Sequence, residues 1–168
     1  MKTSRITLLA ALATAGIASL ALAGGPYTIE NNELKVPSPI LFETGSDKLK
    51  PESDATLDFV KGYLDDKSYI SLMRIENHTD SDGNAEKNQA LSEKRALAVA
   101  RALVAKGVDC KRLIAVGFGS SKPIESNSTP EGKAKNRRTS FINAALRGRP
   151  IGGMPVDGSG KVAGEVCK

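Results

Sequence analysis

Apolar residues fall along this 168-residue chain in short blocks, and the spacing within each block predicts its structure. Leu57, Val60 and Leu64 recur at the spacing of one helix face, behind Pro51, Glu52 and Asp54, which suit a first helical turn. Residues 51–65 are therefore predicted to be an amphipathic helix. Tyr69 to Ile75 is rich in β-branched and long apolar side chains and predicts a strand running on through Thr79 into the polar turn 80–83. A longer helix follows, capped by Asn84, with Leu91, Ala98, Val99, Ala102 and Leu103 as its apolar face and Gly107 just past its end. Leu113 to Val116 predicts a further strand, with a turn at Gly117-Phe118-Gly119. Thr129-Pro130 starts a short helix to about Lys135, and Thr139 to Leu146 predicts the last strand. With Ile40-Leu41-Phe42 as an opening strand before the Thr44-Gly45-Ser46 turn, the order is βαβαβ(α)β. This predicts an α+β two-layer sandwich with a mixed sheet of about four strands, two main helices and one short one.

The two ends of the chain have a different texture. Lys2 and Arg5 precede an apolar stretch, Ile6 to Leu22, that closes on Ala21-Leu22-Ala23, the pattern of a cleaved secretory signal over residues 1–23. Thr7, Thr14, Gly16 and Ser19 dilute that stretch and argue against an uncleaved membrane anchor. Residues 24–39 are polar with Pro26, Pro37 and Pro39 and read as an extended leader, residues 40–146 as the domain, and residues 147–168 as a glycine-rich basic tail. Beyond residue 23 no apolar run reaches the roughly 20 residues of a membrane helix. The expected location is the periplasm, free or peripheral to the outer membrane. In such an oxidising compartment Cys110 and Cys167 either form a bridge or stand as a buried thiol and a free one.

Composition removes several function classes. One His and two distant Cys argue against a structural zinc site, and no cofactor or metal is expected. The net charge of +5 loses the charges of Lys2 and Arg5 with the signal. Residues 127–149 carry Lys133, Lys135, Arg137, Arg138, Arg147 and Arg149 against Glu131, but only Phe141 there offers a ring for base stacking, and export removes nucleic acid as a partner. His78 could serve as a general base, yet no partnered Ser or Cys nucleophile is recognisable, so no catalytic residue is assigned.

The candidate chemistry lies in Asn77-His78-Thr79-Asp80-Ser81-Asp82-Gly83 and the helix after it. Asn88 and Arg95 are seven residues apart, hence on one helix face about 10 Å from each other. Asp80 ends the strand feeding that helix. An acid and an arginine presented across a loop suit a zwitterion, because Arg grips a carboxylate and Asp takes an ammonium. The alternative is structural, with Asp80 capping the helix and Arg95 paired to an acid.

In order, Ile40-Leu41-Phe42 with Gly45-Ser46, His78-Thr79-Asp80, Asn88 with Leu91-Ser92 and Arg95-Ala96, and Asn127 with Asn136-Arg137-Arg138 resemble the OmpA-like domain. Gly117-Phe118-Gly119 and Lys122-Pro123 fall between the last two blocks, and the resemblance covers about residues 37–146. It implies non-covalent binding of peptidoglycan through the free zwitterionic end of diaminopimelate in the stem peptide. Carried across, Asp80 would hold the ammonium and Arg95 the carboxylate, supported by Thr79, Asn88 and one of Arg137 and Arg138. Asn77 departs from the glycine usual in the family. The alternative function is an envelope adaptor that uses the same fold to bind another outer-membrane or envelope protein.

Overall fold

The computed structural model describes residues 26–151 and 159–168; the signal reading of residues 1–23 lies outside them. The strands are β1 (Thr28–Glu30), β2 (Glu33–Lys35), β3 (Ile70–His78), β4 (Leu113–Gly119), β5 (Thr139–Leu146), β6 (Arg149–Pro150) and β7 (Lys161–Val162). The helices are α1 (Asp54–Asp66), α2 (Ala85–Ala105) and α3 (Pro130–Asn136). They form the expected α+β sandwich on a mixed sheet ordered β1-β2-β5-β3-β4-β7, with β6 beside β5. The centre is β3, parallel to β4 across the α2 connection and antiparallel to β5.

Helices α2 and α3 start where the sequence provides a side-chain cap, whereas α1 continues from the single turn Pro51–Ser53. The Asn84 side chain accepts from the Lys87 N–H at the head of α2, and Thr129 Oγ1 accepts from the Gly132 N–H at the head of α3. Both main helices cover one face of the sheet, where Leu57, Val60 and Leu64 of α1 and Ala96, Val99 and Leu103 of α2 pack on Met73, Ile75, Ala115 and Phe141. The buried stripe of α2 runs through Ser92, Ala96, Val99, Ala100 and Leu103, about one residue round from the expected stripe. The small residues have a reason: a Cβ on Gly117 of β4 would lie 2.4 Å from the Glu93 backbone nitrogen, so helix and strand meet almost backbone to backbone. Ser92 fits that seam, its Oγ accepting from the Gly119 N–H at 2.8 Å and donating to the Gln89 carbonyl. Gly117-Phe118-Gly119, expected as a turn, is thus the end of β4.

Three expectations are corrected. Residues 24–39 are not simply an extended leader: β1 and β2 form a hairpin turning at Asn31 and Asn32, both at positive φ, and β2 adds to β5 while burying Leu34. Ile40-Leu41-Phe42 is no strand; it makes one isolated bridge, Phe42 to Leu49, and is fastened instead through Ser53, whose Oγ accepts from the Leu41 N–H and donates to the Leu41 carbonyl. The described part of 147–168 is no loose tail. Arg147-Gly148, both at positive φ, turns β5 into β6, while β7 pairs with β4. Cys110 and Cys167 are joined in a disulfide with Cα atoms 5.1 Å apart.

Candidate ligand-binding site

The end of β3 and the start of β5 lie side by side, Asn77 opposite Thr139, and α2, α3 and the 39–45 loop come together there around a cavity of about 430 Å³. Its lining includes Phe42, Asn77, Arg95, Arg137 and Arg138. Two of these cations have partners elsewhere. The Arg137 Nη1 donates to Asp80 Oδ2 at 2.6 Å, and the Arg138 guanidinium donates to the Lys122 carbonyl in the electrostatic reach of Glu33 and Glu76.

Arg95 differs from both. Its Nε donates to the Ser46 carbonyl at 2.8 Å and its guanidinium lies 4.8 Å from the Phe42 ring centroid, a cation–π contact. It makes no ion pair among the described residues. Burial lowers its pKa from the ordinary value, and Asp47 opposes that only at a distance. The result is a half-buried cation, aimed by a backbone carbonyl and an aromatic ring, in a cavity where an incoming carboxylate would meet it.

Asp80, by contrast, is already engaged. Oδ2 holds Arg137 and Oδ1 accepts from the Asp82 N–H at 3.1 Å, a local turn that keeps the carboxylate at the strand end. Asp80 and Arg95 make no ion pair with each other, as the structural alternative would have allowed, and Asp80, which is not among the lining residues, touches the cavity lining through Arg137. Nor does Asp80 cap α2, a role taken by Asn84. With the Arg137 side chain half exposed, the pair is worth about 1 kcal/mol or less to the fold.

Thr79 and Asn88 act on the backbone. The Thr79 N–H donates to the Gly119 carbonyl and its hydroxyl to the Asp80 carbonyl, while Asn88 Nδ2 donates to the Asp82 carbonyl at 2.8 Å and more weakly to that of Asp80. A second brace comes from Asn136, fully buried, whose Oδ1 accepts from the Ile124 and Glu125 N–H groups and whose Nδ2 donates to the Glu125 backbone carbonyl and to Asn127 Oδ1. Asn127 Oδ1 also accepts from the Ser81 N–H, joining this loop to the Asp80 loop. Asn136 and Asn127 entered the sequence reading only through resemblance, and no local pattern marked them as a brace. The Ser46 carbonyl and the Phe42 ring as holders of Arg95 had no local signal.

On the face of the sheet away from the helices, β3 carries Arg74, Glu76 and His78, all buried. Arg74 Nε donates to Glu76 Oε1 at 2.7 Å. His78 Nε2 lies 3.4 Å from Glu76 Oε2, near enough for charge attraction but poorly aligned, so neither ring nitrogen has a hydrogen-bond partner among the described residues. The ring stacks on Phe118 with centroids 5.0 Å apart. Burial pushes the His78 pKa down, aided by Arg138 and Lys122 and opposed by Glu76. Burial raises the Glu76 carboxyl, but His78 and Arg74 outweigh it and leave it below the ordinary value. Among the described residues no group of three or more His, Cys, Asp or Glu is placed to hold a metal ion, and no helix is long and apolar enough to cross a membrane.

A mixed sheet with two helices on one face and a cationic cavity at its strand ends defines an α+β two-layer domain with one candidate ligand site. Residues 41–137 match the OmpA family, and the chain belongs to it. It is similar to the probable lipoprotein YiaD of Escherichia coli K12, 40% identical over 118 residues covering 70% of this chain and 53% of that protein. It is also similar to the peptidoglycan-binding protein ArfA of Mycobacterium tuberculosis, 36% identical over 124 residues covering 73% and 33%. The chain thus spans about half the length of the first relative and a third of the second. Among solved structures, the peptidoglycan-associated lipoprotein of Burkholderia pseudomallei superposes with a TM-score of 0.57 at 31% identity, covering 64% of this chain and 89% of that one.

Proposed function

We propose that this protein is a non-catalytic peptidoglycan-binding module of the bacterial envelope, exported to the periplasm, and that its cavity takes the free zwitterionic end of diaminopimelate. The observation that carries this reading is Arg95, a half-buried, pre-aimed guanidinium in the cavity without a carboxylate partner among the described residues. In this reading Arg95 grips the ligand carboxylate, and Asp80, whose two oxygens offer about four lone-pair sites, accepts an ammonium N–H beside its bond to Arg137. Thr79 and Asn88 hold the Asp80 loop in place, Arg137 keeps the Asp80 carboxylate oriented, and Arg138 adds positive potential. The names of ArfA and of the Burkholderia lipoprotein support the wall as ligand.

Charge-assisted hydrogen bonds of about 1.5–3 kcal/mol each give weak affinity at a single site once desolvation is subtracted, and a polymeric wall retains the protein by rebinding. The test is co-sedimentation with purified sacculi, with and without excess free diaminopimelate, for the wild type and for an Arg95→Ala variant whose melting curve establishes that it is folded. The wild type is expected in the pellet, released by the competitor, with affinity falling about ten- to a hundredfold in Arg95→Ala. A wild type that stays in solution would refute the reading and move the search to a protein partner, the adaptor function.

A further inference from the structure

One residue lining the same cavity carries a polar atom without an assigned task. Asn77 is the penultimate residue of β3, 2% exposed, with its backbone paired to Gly117 on one side and Thr139 on the other. Its Nδ2 donates to Thr139 Oγ1 at 2.9 Å, which fixes the amide, while Oδ1 has no hydrogen-bond partner among the described residues. Buried carbonyl oxygens are seldom left unpaired in folded proteins, and Asn77 is one of the residues that line the cavity.

The ligand's needs point to the same atom. An ammonium has three N–H donors and, taken out of water, requires acceptors for them. Asp80 is partly spent, with one oxygen on Arg137 and the other on the Asp82 N–H. The three guanidinium groups in the lining donate and cannot accept, the one lining carboxylate, Glu43, holds Lys48 at 2.7 Å, and the buried His78 ring lies in the field of Arg138 and Lys122. A neutral amide oxygen is well suited to this setting, because a carboxylate in its place would be drawn onto the neighbouring Arg95 or Arg137 and so be consumed.

We propose that Asn77 is a specificity-determining residue of this site, its Oδ1 accepting an N–H of the ammonium next to the carboxylate held by Arg95. The inference rests on the reading of the cavity as a stem-peptide site. It divides recognition into two halves, with Arg95 reading the carboxylate and Asn77, together with Asp80, reading the amine. A stem ending in a carboxylate without the amine should gain nothing from Asn77.

Two synthetic stem tripeptides separate the halves: L-Ala-γ-D-Glu-meso-diaminopimelate, and the same peptide with 2-aminopimelate in the third position, which keeps the terminal carboxylate and lacks its amine. Both are titrated by NMR chemical shift into the wild type and into the Asn77→Leu and Asn77→Ala variants, with thermal melts as the control for folding. Two variants are used because Leu keeps the volume and Ala avoids crowding. The wild type is expected to prefer the diaminopimelate peptide, and either folded variant to bind that peptide about tenfold more weakly while binding the aminopimelate peptide as the wild type does. Retention of the full preference in a folded variant, or an equal loss for both peptides, would overturn the role of Asn77 while leaving the cavity reading in place. Failure of the wild type to bind either peptide would overturn both.

Discussion

Cutting the Cys110–Cys167 disulfide should release the C-terminal segment and leave the rest of the domain folded. The bond joins residues 57 apart, and closing a loop of that length removes about 4 kcal/mol of chain entropy from the unfolded state. What else holds the segment is modest: two residue pairs between β7 and β4, the Ala163 N–H donating to the Ala115 carbonyl at 2.9 Å, the Arg101 guanidinium donating to the Glu165 carbonyl at 3.2 Å, and the burial of Ala163 and Val166 against the helix-side core. That burial is worth roughly 2–3 kcal/mol. Ordering about seven residues costs roughly 7–14 kcal/mol of backbone entropy, so without the covalent bond the segment should not stay docked. The assay is amide hydrogen exchange on the oxidised protein and on a Cys110→Ser/Cys167→Ser double variant. In the variant the Ala163 amide should lose its protection while the amides of α2 and β3 keep theirs, and the melting temperature should drop by about 10–15 °C. Persistent protection at Ala163, or an unchanged melting temperature, would refute the reasoning.

Gly132→Ala in α3 should destabilise the domain by about 1–3 kcal/mol despite alanine's better helix propensity, because the new Cβ would fall 1.9 Å from the Ser126 carbonyl oxygen; an undiminished urea midpoint would count against it. Stability should also fall as pH drops below about 6.5. The His78 pKa is depressed in the fold, so the unfolded chain takes up the proton first and the stability present above the ordinary value is lost on acidification. The loss at pH 5.5 is at most about 1.4 kcal/mol, the limit for a folded form that takes no proton. Since His78 is the single histidine, comparison of urea midpoints at pH 7.5 and 5.5 reads it directly. A His78→Phe variant should abolish the difference, and a difference that survives there would assign it elsewhere.

Sequence patterning located the central elements because each carried several agreeing signals. For α2, the cap at Asn84, the stop at Gly107 and a run of small apolar residues pointed the same way, and β3 and β5 were long enough for composition to speak. The hairpin β1–β2 escaped because its strands have three residues each, only Leu34 is fully buried, and Pro26, Pro37 and Pro39 around it suggested a leader. The Asn31-Asn32 turn was its one local sign. At the candidate site, residue type and the family resemblance singled out Arg95 and Asp80, but not the groups that hold them. Arg137 lies 57 residues from Asp80 and Ser46 lies 49 from Arg95, and such distant pairings are set by how α3 and the 39–45 loop pack, which no local spacing encodes.

The two hairpin strands at the start of the described chain also decide how the molecule would respond to pull. Tension entering from the N-terminal side would first meet Tyr27, whose ring packs edge-on to Phe59 and Tyr63 and whose hydroxyl donates to Asp66. It would next meet β2, fastened to β5 over two residue pairs and the bond from the Asn143 N–H to the Asn32 carbonyl. Beyond the hairpin the chain is pinned separately, at Ser38 by the Thr56 hydroxyl and at Leu41 by Ser53. The hairpin can therefore peel away as a shock absorber before strain reaches the 39–45 loop, so that Arg95 keeps its aim while the first strands yield.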